Sequence, residues 1–161
     1  MKKRTLKLID VLKRFKLESL VIGSSCASIT LSYTNWDSEA AWLLYVELIT
    51  RVTSQPLDES EGDEQTALES IHSVFAITRD ILKNYGKNAR SFTPVALILV
   101  NKLLRPFTSK WHRQSIQNGF NKDDAQKEFR NDLNKLRESL VSYIKLLAEM
   151  SGVSDFVDVC L

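Results

Sequence analysis

Arg105 and His112 lie seven positions apart in the stretch NKLLRPFTSKWHRQ (101–114). A permanently charged guanidinium and an imidazole that titrates near neutral pH can together hold a phosphate and move a proton. Both are also common on solvated helix surfaces. Pro106 directly follows the arginine, and Trp111 directly precedes the histidine. An internal proline removes a backbone hydrogen bond and clashes with the preceding turn, so the helix is expected to end or kink here. A kink would spoil the shared face that positions seven apart otherwise have. On that reading Phe107 and Trp111 turn into the core, while Arg105, Lys110, His112 and Arg113 face water.

An arginine and a histidine about four to six residues apart on a helical bundle resembles the HEPN class, which is rich in bacterial ribonucleases. There the arginine stabilises the scissile phosphate and the histidine assists proton transfer. The resemblance implies those roles for Arg105 and His112. Here six residues stand between the two, at the edge of the pattern. The chain departs from it at Pro106, where a polar residue is expected after the arginine, and Trp111 crowds the histidine.

Glu47 is the single charge in AAWLLYVELI (40–49), and Arg51 follows one turn later in the favourable order. A buried carboxylate needs a partner, so Glu47 and Arg51 are expected to form a buried structural pair. The alternatives are a polar site completed by Arg79 or Asn101, or a Glu47 that reaches the rim. His72 sits beside the apolar stripe of its helix and reads as a satisfied or exposed side chain. The sequence contains no phosphate-binding loop, no dinucleotide fingerprint and no paired-histidine zinc motif. Cys26 and Cys160 have no metal spacing, so neither a metal nor a cofactor is expected.

Charge is unevenly spread. Residues 1–16 hold seven Lys or Arg (Lys2, Lys3, Arg4, Lys7, Lys13, Arg14 and Lys16) against Asp10 alone. Residues 52–78 hold six acids, Asp58, Glu59 and Glu61 among them, and no Lys or Arg. Residues 102–130 are basic again. Such blocks suit docking on charged partners or on each other, and the basic segments allow nucleic-acid contact.

The elements that position these residues read as helices. A length of 161 residues, 43% apolar and 26% charged, fits one soluble globular domain over 1–161. The longest apolar run, PVALILV (94–100), is too short to span a bilayer. Leu6, Ile9, Leu12 and Phe15 predict a short amphipathic helix over 5–16. Alternation at Ile29, Leu31 and Tyr33 predicts a strand, and GSS (23–25) suits a turn from a partner near 18–22, giving a hairpin over 17–34.

Asp37 then caps a helix to about 53 that is apolar nearly all round, as a central bundle helix would be. Residues 54–64 read as an acidic loop. Leu68, Ile71, Phe75, Ile81, Leu82 and Tyr85 mark a helix over about 63–85, stopped by Gly86. Thr93 and Pro94 open the next helix. Phe129, Leu133, Leu136, Leu140, Tyr143 or Ile144, Leu147 and Met150 mark a long helix over about 122–150, ended at Gly152.

The expected fold is mainly α: an up-and-down bundle of about four main helices, with an N-terminal amphipathic helix and a small β-hairpin. The leading functional expectation is a non-enzymatic protein-binding or regulatory subunit of a larger cytoplasmic assembly, partnering another protein or itself. The alternative is an HEPN-like ribonuclease using Arg105 and His112.

Overall fold

The computed structural model describes residues 6–17, 28–51, 57, 62–117 and 119–153. In chain order these give strand β1 (Leu6–Lys7), helix α1 (Leu8–Arg14), strand β2 (Thr30–Leu31), and helices α2 (Asn35–Ile49), α3 (Glu64–Tyr85) and α4 (Phe92–Ile98). A π-helical stretch (Leu99–Leu104), helix α5 (Arg105–Ile116), a 3-10 turn (Gly119–Asn121) and helix α6 (Asp123–Ser151) follow. The fold is mainly α with a small antiparallel sheet, as the hydrophobic periodicity predicts.

One core joins the helices. Helix α6 supplies Phe129, Leu133, Leu136, Leu140, Tyr143, Ile144, Leu147 and Met150, all buried at the spacing read from the sequence. Gly152 ends it at φ 79°, a left-handed conformation that glycine adopts without strain. Helix α2 packs against α6 and α3 through Ala40, Ala41, Leu44, Tyr45 and Leu48. Its remaining face is uncovered. Trp36, Trp42 and Leu43 are exposed, so α2 is not enclosed on all sides and its two tryptophans do not lie in the core.

At the N-terminus, β1 pairs antiparallel with β2, Leu6 opposite Leu31 and Lys7 opposite Thr30. Helix α1 is therefore shorter than its apolar spacing suggests, because Leu6 and Lys7 are extended. Its buried residues are Leu8, Val11 and Leu12, and Leu17 is buried just after it. The expected hairpin partner (18–22), its turn (23–25) and both cysteines lie outside the described residues.

Caps fix where the long helices start. Thr34, rather than Asp37, is the N-cap of α2. Its hydroxyl accepts the Asp37 N–H at 3.4 Å, while Asp37 Oδ2 accepts the Thr34 N–H at 2.8 Å, a reciprocal capping box. The fully buried Asp37 also reaches α4, where its Oδ1 accepts the N–H groups of Ser91 and Phe92 at 2.8 and 2.9 Å. Thr93 and Pro94 therefore lie inside α4, and Thr93 Oγ1 donates back to the carbonyls of Gly86 and Ala89. Gly86 follows α3 with φ −57°. Its role is close approach: a Cβ there would lie 2.5 Å from the Leu82 carbonyl oxygen.

Pro106 does not end the helix. The chain widens to π-helical geometry over Leu99–Leu104 and resumes as α5, with proline in its first turn. The Arg105 N–H bonds the Val100 carbonyl, five residues back. This wider register lies immediately upstream of the residue that lacks an N–H, so the irregularity falls before Arg105 and leaves α5 regular.

Candidate functional groove between α3 and α5

Trp111 sets the orientation of α5. It is fully buried, meets Phe129 edge-on at 5.1 Å between ring centroids, and stacks on Phe120 at 6.0 Å. Phe107, also buried, contacts Phe129 at 5.4 Å. On the outer side Lys110 lies over the Trp111 ring and reaches Glu128 and Asp132 of α6 at 2.6 and 2.7 Å. With 107 and 111 turned toward α6, residues 105, 108 and 112 share the side toward α3. Arg105 and His112 are exposed, as the sequence indicates, but they lie on one uninterrupted helix. The expected separation by a proline kink does not occur.

The facing helix brings His72, which is exposed as the sequence allows, although the sequence did not place it in a site. His72 of α3 lies with its ring 6.3 Å from that of His112, the planes inclined by 21°. These are the only two histidines in the chain. One turn along, the Arg105 guanidinium lies 6.0 Å from the Phe75 ring centroid. As numbering rises along α5 it falls along α3, so the two helices run in opposite senses.

Between them is a groove of about 260 Å³, lined by Gln65, Leu68, Glu69, His72 and Ser73 from α3 and by Thr108 and His112 from α5. Glu69, the carboxylate in this lining, is held by the Gln65 amide at 2.8 Å. Ser73 accepts a hydrogen bond from Arg51 at 2.8 Å and donates to the Ser70 carbonyl at 2.7 Å. Two imidazoles and a serine tied to Arg51 thus line one surface cavity, and Arg105 lies two turns before His112, outside that lining. Such a set suits an anionic ligand and proton exchange.

Comparison with protein families, curated proteins and solved structures finds no match for this chain.

Glu47 and Arg51 do form a pair, through Nη2 and Nε to one carboxylate oxygen at 2.7 and 3.2 Å. It is not buried. The Glu47 side chain is 38% exposed, because this side of α2 faces the rim beside Ser73 rather than the core. The more deeply buried pair is Glu64 with Arg130, at 2.6 Å, which joins the first turn of α3 to α6. Glu64 is 5% exposed, and Arg130 also donates to the Gly62 carbonyl.

Of the basic N-terminal residues, Lys7 and Lys13 are exposed and Arg14 bonds Glu149 of α6. Lys2, Lys3, Arg4, Asp58, Glu59 and Glu61 lie outside the described residues. Among the described residues, no three His, Cys, Asp or Glu side chains are arranged to hold a metal, and no helix is long and apolar enough to cross a membrane.

Proposed function

We propose that this chain is a ribonuclease of HEPN-like character, with Arg105 binding the scissile phosphate and His112 transferring a proton. One observation carries the reading: Arg105 and His112 share one regular helix and one exposed face beside a groove, because the π-helical stretch absorbs the effect of Pro106 upstream. They stand two turns apart, about 10 Å of helical rise. The basic stretch 102–130 adds attraction for a polyanion. The test is cleavage of single-stranded RNA by purified protein, its Arg105→Ala and His112→Ala variants, and refolding controls by circular dichroism. Folded variants slower by about 100-fold or more support the reading. Full activity in both variants, or no cleavage by the parent, removes it.

A second reading is supported by a different surface. The uncovered face of α2 carries Trp36, Trp42 and Leu43, with Trp36 48% exposed. Aromatic side chains in the open suit a protein-binding or regulatory subunit of a cytoplasmic assembly, whose partner would cover them. Co-purification from the native host with the parent chain and with Trp42→Asp tests this. A partner held equally well by both would rule out this face.

A further inference from the structure

We infer that His72 is a second proton-transfer residue, acting with His112 across the α3–α5 groove. The inference rests on the ribonuclease reading and extends it to a residue on another helix.

Cleavage of RNA by its own 2′-hydroxyl needs two proton movements. The 2′-oxygen attacks phosphorus, so an O2′–P bond forms and the 2′-hydroxyl proton must leave. The P–O5′ bond breaks, so the departing 5′-oxygen must gain a proton. These oxygens stand on opposite sides of phosphorus in an in-line displacement. A single imidazole must serve both in turn, whereas two imidazoles flanking the phosphate can act together: one accepts the first proton while the other donates the second. The products are a 2′,3′-cyclic phosphate and a 5′-hydroxyl. Proton exchange with water then resets the pair.

The groove brings two imidazoles together. The fold brings the chain's two histidines, forty positions apart, to 6.3 Å between ring centroids on the walls of one cavity. Both are exposed and so can exchange protons with solvent. The charged groups around them come from three helices. Glu69 lies one turn before His72 on α3, and Arg105 lies two turns before His112 on α5. On α2, Arg51 reaches the groove through Ser73 and is itself held by Glu47.

The test compares the pH dependence of RNA cleavage in the parent, His72→Gln and His112→Gln, each checked for an unchanged fold. The parent should show a bell-shaped profile, and each variant should lose about 100-fold in kcat and one limb of the bell with little change in KM. A dinucleotide with sulfur in place of the bridging 5′-oxygen assigns the roles. Its thiolate leaving group needs no proton, so the variant lacking the proton donor should cleave it at close to the parental rate. Parental kcat and an intact bell in His72→Gln would overturn the inference while leaving the ribonuclease reading standing. Absence of cleavage in the parent would overturn both.

Discussion

Asp37 Oδ1 accepts the backbone N–H of Ser91 at 2.8 Å, joining the first turn of α2 to the start of α4 across 54 positions of chain. The same carboxylate serves Phe92, the Thr34 amide and the Thr34 hydroxyl. Ser91 extends the link, its hydroxyl accepting the Ser32 N–H at 2.8 Å just beyond β2. One buried side chain thus caps the starts of two helices, and Ser91 ties that point to the residue after β2.

Replacing Asp37 with alanine leaves those donors without their acceptor in a site closed to water. The expected loss is about 4 kcal/mol, since buried donors left unpaired are costly and their partner here is charged. Asp37→Asn should recover only part of it, because an amide nitrogen then faces N–H groups. Denaturant unfolding of both variants checks this. A loss below about 1 kcal/mol in Asp37→Ala would show that the caps act independently.

The two Glu–Arg pairs should separate clearly in stability. Glu64→Ala takes the carboxylate away from Arg130 while its bond to the Gly62 carbonyl remains, and is expected to cost about 2–3 kcal/mol, tempered by the partial exposure of the arginine. Glu47→Ala removes a rim pair and is expected to cost about 0.5 kcal/mol. Urea melts of the two variants and of Glu64→Ala/Arg130→Ala decide the order. The reverse ranking would mean that the rim pair braces α2 more than its exposure indicates.

Much of the bundle was legible because burial follows helical period. The α6 stripe from Phe129 to Met150 and the inward Phe107 and Trp111 follow directly from apolar spacing. Helix α2 was misread for the opposite reason: a sequence apolar on all sides does not say which side has a neighbour, and Trp36 and Trp42 fell on the open one. Contacts between distant segments left no periodic trace. Spacing shows neither that His72 meets His112 nor that Asp37 reaches Ser91. Pro106 misled because a local rule gives a break, whereas a π-helical turn upstream accommodates the missing N–H.

Alkaline pH should destabilise the fold through two tyrosines. Burial raises the Tyr33 hydroxyl to about 12, with Glu149 adding to the effect, and burial raises Tyr143 well above the ordinary value. Tyr143 donates to the Val95 carbonyl at 3.0 Å, whereas the Tyr33 hydroxyl has no hydrogen-bond partner among the described residues. An unfolded chain loses its phenolic protons near pH 10, and the folded chain keeps these two longer. Stability is therefore full below about pH 10 and falls as pH rises toward 12 and beyond. Absorbance titration should show Tyr33 and Tyr143 ionising late, together with unfolding. Tyr33→Phe should delay that loss, and titration of all four tyrosines near pH 10 in a folded chain would contradict the burial argument.

Residues 6–17 are part of the core rather than a detachable arm. If residues 1–16 served only to dock on a partner or on the acidic 58–64 loop, their deletion would leave the bundle folded. In the fold, Leu8 and Leu12 are fully buried, Val11 is 2% exposed, and Leu6 pairs with Leu31 across the sheet. The Leu8 N–H also donates to the Ile29 carbonyl at 2.9 Å, and Arg14 bonds Glu149 near the end of α6. Losing two leucines and a valine removes roughly 1.5–3 kcal/mol of burial for each side chain and uncovers the surface beneath them. That is a large fraction of the 5–15 kcal/mol by which a domain is usually stable. Deleting residues 1–16 should therefore abolish or broaden cooperative thermal unfolding, whereas Lys7→Ala and Lys13→Ala should leave it within about 0.5 kcal/mol of the parent. A deleted chain that melts as sharply and as high as the parent would show that α1 only rests on the bundle.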